Sequence, residues 1–102
     1  MRILAIDIGG TAIKSAIANE KGEITELKEH ATNAKEGGPA VMKTALEIAH
    51  SYQDFECIGI STTGQVDSKR GVIVYANENV PHYTGTNVKK LFEDEFHVLT
   101  CV

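Results

Sequence analysis

A chain of 102 residues, 42% hydrophobic and 24% charged, is long enough for one domain with one modest core and too short to close a deep cleft by itself. Its net charge of -4, with the Lys and Arg scattered along the sequence, excludes the basic face of a nucleic-acid binder. No apolar run approaches the ~20 residues of a membrane span and no cleavage site follows the start MRILAID, so a cytoplasmic protein with no membrane partner is expected.

Residues 2–8, RILAIDI, are apolar on both faces apart from Arg2 and Asp7, the pattern of a central strand buried on both sides. Residues 11–19, TAIKSAIAN, set Ile13, Ser15 and Ile17 on one face and Ala12, Lys14, Ala16 and Ala18 on the other. Gly9 and Gly10 between them are a two-residue hairpin signal. A turn at NEKGE leads to a more polar third strand over residues 23–31, nearer an edge.

The period then changes. Pro39 suits the first position of a helix with Gly38 as its N-cap, and Val41, Met42, Ala45, Leu46, Ile48, Ala49 and Tyr52 form an apolar stripe at helical spacing. Residues 55–62, FECIGIST, read as a buried strand, parallel to its neighbour because a helix leads into it. After Gly64 come a turn, VDSKRG, and a strand, VIVYAN. Residues 77–86 form an irregular loop, and Thr86 or Asn87 caps a short helix carrying Val88, Leu91, Phe92 and Phe96. HVLTCV reads as a last buried strand, and because the sequence stops inside it, a continuation past Val102 is expected. Cys57 and Cys101 sit in apolar runs as buried thiols, without the CxxC spacing of a metal or redox motif. The four histidines lack metal-ligand spacing and read as surface or partly buried residues.

The order is β-β-β-α-β-α-β, with VIVYAN as an extra strand before the second helix: an α/β protein whose mixed sheet carries packed helices. It fits the ribonuclease H-like, actin-like ATPase architecture, which by itself assigns no function.

The stretch AIDIGGTAIKSAIA holds the chemistry. A Gly-Gly pair alone is only a hairpin. Here its glycines let backbone N–H groups approach an anion, Thr11 adds a hydroxyl, and Asp7 has the character of a Mg²⁺ partner. An unpaired carboxylate in a doubly buried strand is costly, and a nearby ion relieves that cost. The acid and the glycines therefore fit one site for metal and phosphate. Lys14 either pairs with Asp7 or approaches a phosphate, and reads equally well as an exposed edge lysine.

With DIGGTAIKSAI at the start, then IGISTTGQVD and GVIVYANENVPHYTGTNVKKLFEDEF, the chain resembles the N-terminal domain of the ROK family of repressors, open reading frames and sugar kinases, over its whole length. The resemblance implies a sugar kinase using ATP and Mg²⁺, acting on a hexose or β-glucoside, with residues 1–102 as its N-terminal actin-like ATPase domain and a C-terminal domain outside them. It implies that Asp7 acts on Mg²⁺, that Gly9, Gly10 and Thr11 contact the ATP phosphates with Lys14 nearby, and that Gly64 and Asn79 line the sugar pocket. Taken without the resemblance, Gly64 is a strand-end turn and Asn79 ordinary loop polarity. Thr63 stands where many members carry proline and Tyr83 where many carry tryptophan, which bears on the shape of the sugar loop. The family's general base, an aspartate in an Asn-Asp pair, would fall just beyond Val102, with its zinc ligands and adenine pocket further on, so the chain alone is expected to be inactive. A sugar-responsive regulator of the same family and a non-catalytic sugar-binding fragment remain the alternatives, and homodimerisation of the full-length protein is left open.

Overall fold

The Gly9-Gly10 break folds the N-terminal run back on itself. In the computed structural model, which describes residues 1–102, β1 (Ile3–Ile8) pairs antiparallel with β2 (Ala12–Ala18), with Leu4 opposite Ile17 and Ile8 opposite Ile13. β3 (Ile24–Ala31) follows antiparallel to β2 and forms one edge, as its polar composition implies. Helix α1 (Gly38–His50) carries the chain across to β4 (Cys57–Thr62), which lies parallel beside β1 with Ile6 opposite Ile60. A small separate hairpin, β5 (Gln65–Asp67) with β6 (Val72–Tyr75), precedes α2 (Val88–Phe96) and the short β7 (Leu99–Cys101), parallel to β4. The five-stranded sheet runs β3-β2-β1-β4-β7, a mixed sheet of the ribonuclease H-like, actin-like type. Neither helix is long and apolar enough to cross a membrane.

Strand alternation sends Leu4, Ile6, Ile8, Ile13, Ile17, Ile58 and Ile60 to one face, where they pack against Val41, Met42, Ala45, Ile48 and Ala49 of α1 and Val88 and Phe92 of α2. Each large aliphatic side chain buried this way contributes about 1.5–3 kcal/mol, so this face, and not the three-residue β7, holds the fold together. Ser15 occupies a core position and is satisfied: its hydroxyl lies 2.9 Å from that of Tyr52, which donates to the Glu26 carbonyl at 2.7 Å. Tyr52 itself lies just past the end of α1 rather than within its stripe. Asn87, rather than Thr86, caps α2 by accepting from the Lys90 N–H.

The opposite face departs from the sequence expectation. α1 and α2 lie side by side on the same face, joined by the His50–Glu95 contact at 2.6 Å and the rings of His50 and Phe96 at 4.6 Å. The other face of the sheet therefore carries no helix. β1 is buried on one side only, and Asp7 is exposed rather than stranded in a core. The same openness leaves Cys57 half-buried and Cys101 exposed, and makes β7 an edge strand with Leu99 62% exposed, where buried thiols and a buried strand were expected. VDSKRG is not wholly a turn, because Val66 and Asp67 belong to β5.

α1 starts one residue earlier than its proline implied, with Gly37 as N-cap at φ +96° and Gly38 as the first helical residue. Gly38 is buried under the 77–86 loop. Its N–H donates to the Pro81 carbonyl at 2.7 Å, and a Cβ there would lie 2.5 Å from the His82 carbonyl oxygen and 2.8 Å from the Tyr83 Cα. Gly38→Ala is therefore expected to lower stability by about 1–3 kcal/mol, read as a fall in the urea midpoint. An unchanged midpoint would show that the loop yields freely at this contact.

Candidate functional site

The two adjacent glycines do different work. The Gly9 N–H closes the turn on the Ala12 carbonyl at 2.9 Å, and a Cβ on Gly9 would lie 2.9 Å from that same oxygen. The fold therefore requires glycine at position 9. At Gly10 it does not: the backbone is not left-handed and a Cβ would meet no atom within 4 Å. Neither the Gly10 nor the Thr11 N–H donates to a backbone acceptor, and both residues are exposed.

These two residues face a cleft of about 890 Å³ whose other walls are Ala31 at the end of β3, Asn33, Ala34, Lys35 and Glu36 from the segment between β3 and α1, and Asn79 from the 77–86 loop. Two successive N–H groups without a protein acceptor, a hydroxyl and a lysine ammonium thus line one cleft together with the Glu36 carboxylate, donors of the kind that can receive an anion. The turn is held from behind by Thr32, 2% exposed, whose hydroxyl donates to the Gly9 carbonyl at 2.8 Å and whose N–H donates to the Thr11 carbonyl at 3.0 Å.

Asp7 and Lys14 lie on the open face of the sheet, lining a separate hollow of about 540 Å³ floored by Ala5, Ala16 and Gly59. Pairing sets Glu29 opposite Lys14, Lys14 opposite Asp7, and Asp7 opposite Ser61, a polar row across four strands at the end that carries the turn. The Ser61 hydroxyl donates to the Asp7 carboxylate at 2.7 Å, while Lys14 closes no ion pair. The expectation that burial makes the acid demand a counter-ion fails, since the carboxylate is solvated and already accepts a hydrogen bond. Nowhere do three or more His, Cys, Asp or Glu gather to cage a metal. An exposed carboxylate held by a serine hydroxyl is nevertheless the kind of group that suits Mg²⁺, which keeps several waters and takes one or two protein carboxylates.

Asn79 thus shares a cleft with Gly10 and Thr11. Gly64 opens instead onto a smaller recess of about 210 Å³ with Gln65 and Asn77. Its φ of +94° and the Tyr75 carbonyl oxygen 3.1 Å from a would-be Cβ give Gly64 a complete structural reason to be glycine. Tyr83 does not line either space. It is fully buried, its hydroxyl 2.7 Å from that of Thr62, and burial pushes its pKa above the ordinary tyrosine value. It shapes the loop of Asn79 from behind. Sequence reasoning missed Thr32, Asn33 and Lys35, for which TNAKEGG offers no signal beyond a polar run before the helix.

The model of the ROK family matches residues 3–102. An uncharacterised protein of Clostridium perfringens is 42% identical over 96 residues, covering 91% of this chain and 32% of that protein. A beta-glucoside kinase of Listeria innocua is 32% identical over 95 residues, covering 93% of this chain and 32% of that protein. The crystal structure of a ROK hexokinase from Thermus thermophilus superposes with a TM-score of 0.83 at 26% identity, over 98% of this chain and 34% of that one. The chain spans about a third of the length of the relatives it matches.

Proposed function

This chain belongs to the ROK family, and from that premise we propose that it is the N-terminal, phosphate-binding domain of an ATP-dependent sugar kinase acting on a hexose or β-glucoside. The observation that carries the reading is Gly10: a glycine the fold does not require, followed by Thr11, with the N–H groups of both residues free of any protein acceptor and both residues lining a cleft that also holds Asn79. Such a position keeps room for a ligand to touch the backbone. The relatives named as a beta-glucoside kinase and a hexokinase support the sugar acceptor.

In this reading the γ-phosphoryl group leaves the bridging oxygen of ADP and bonds to a sugar hydroxyl oxygen, whose proton passes to a base outside residues 1–102. Catalysis of this kind is mostly positioning and charge stabilisation. Gly10 and Thr11 donate N–H groups to phosphate oxygens, with Gly9 closing the turn and the Thr11 hydroxyl beside them. Lys14 supplies positive charge on the open face. Asp7, its carboxylate held in place by Ser61, would hold a Mg²⁺ ion, which when bound would supply charge neutralisation on the transferred group. Asn79 and the Gly64 turn contribute to the sugar side.

The test is sugar-dependent ATP turnover by the purified full-length protein, over a panel of hexoses, N-acetylhexosamines and β-glucosides. Turnover that requires both Mg²⁺ and one class of sugar is the expected result. Sugar binding without turnover, or a failure to bind nucleotide at all, overturns the kinase reading in favour of a binding module or regulator.

A further inference from the structure

We infer that Thr32 is a positioning residue that aims the Gly10 N–H into the phosphate cleft, an inference that rests on the anion-binding reading of Gly10 and Thr11. A peptide unit is planar and trans, so the carbonyl of Gly9 and the N–H of Gly10 point in opposite directions. The Thr32 hydroxyl, 2.8 Å from the Gly9 oxygen, holds that carbonyl toward the protein. The N–H on the same unit is thereby turned outward. Two glycines flank this peptide, so no side chain of the turn itself resists its rotation. A rotated peptide would present a carbonyl oxygen to the ligand and repel a phosphate.

The backbone half of the contact, Thr32 N–H to the Thr11 carbonyl at 3.0 Å, is available to any residue but proline. The hydroxyl half is available to threonine or serine alone among side chains of this size. Because Thr32 is 2% exposed, water does not replace the bond when the hydroxyl is removed.

The experiment compares the full-length protein with its Thr32→Val and Thr32→Ser variants, by hydrogen–deuterium exchange of the peptide spanning the turn and by steady-state kinetics. Thr32→Val is expected to exchange faster at the turn while the β4 peptide is unchanged, and to raise the KM for ATP roughly tenfold with the KM for sugar unmoved. Thr32→Ser is expected to restore both. Parental exchange at the turn in Thr32→Val overturns the inference. So does faster exchange with an unchanged KM for ATP, or a loss shared equally by both substrates and not rescued by serine, since each marks a purely structural residue. If the parent protein turns over no ATP, the kinase reading ends and binding of inorganic pyrophosphate, measured by calorimetry, replaces the KM: affinity weakened roughly tenfold in Thr32→Val and restored in Thr32→Ser supports the inference, and equal affinity in the parent and Thr32→Val, or no binding by the parent, overturns it.

Discussion

Gly10→Val in the full-length protein is expected to leave the melting temperature unchanged and to lower kcat/KM for ATP by roughly 10²–10³-fold. The two glycines of the turn differ in what a side chain would meet. At Gly9 a side chain collides with the Ala12 carbonyl, so substitution there is expected to cost stability first and activity as a result. At Gly10 a side chain enters open space, and the space it enters borders the cleft lined by Thr11, Lys35 and Asn79. Only a ligand is inconvenienced. Parallel melting curves and ATP titrations of the two variants distinguish these cases. A Gly10→Val protein with full activity would mean that no ligand approaches the turn, and the central observation behind the kinase reading would be gone.

Asp7→Asn should cost roughly 10²–10³-fold in sugar-dependent ATP turnover, the scale on which a metal ion stabilises transferred charge, and should raise the Mg²⁺ concentration needed for half-maximal rate. The substitution is nearly isosteric and the position is exposed. Ser61 keeps an oxygen to which its hydroxyl donates, so unfolding curves should coincide with those of the parent. What changes is the charge. Turnover and Mg²⁺ dependence that both survive would remove Asp7 from the metal site and leave the polar row of Glu29, Lys14, Asp7 and Ser61 as surface decoration.

The alternation around Ile13, Ser15 and Ile17 and the stripe from Val41 to Ala49 were enough to recover three antiparallel strands, the first helix and the parallel strand after it. Burial of the second sheet face was not legible. Ile3, Ala5, Cys57 and Gly59 are apolar or small, and such residues look the same whether a helix covers them or not. Which face the two helices choose is a tertiary fact, and it decided that Asp7 is solvated and Cys101 exposed. Gly9 and Gly10 are the same letter, and only the position of the Ala12 carbonyl tells them apart. Thr32 was invisible for a different reason. Its partner Gly9 is 23 residues away, and nothing in local spacing connects a hydroxyl at the end of one strand with a carbonyl at the end of another. Asp67, Ser68 and Gly71 made the β5 region read as pure turn, and a strand as short as Gln65–Asp67 has too few positions to show an alternation.

The backbone between β3 and α1 touches both halves of the candidate site. Thr32 at its start bonds to the Gly9 carbonyl, and Gly38 at its end donates to the Pro81 carbonyl beneath the loop that carries Asn79. A shift of either loop therefore works against the same short span. Under the kinase reading, two ligands seated on these loops would both act on that span, and any coupling between them would run through it. Linkage makes their heterotropic effects reciprocal: the factor by which a bound sugar alters nucleotide affinity is the factor by which bound nucleotide alters sugar affinity. The connector would in that case act as a yoke between the two loops.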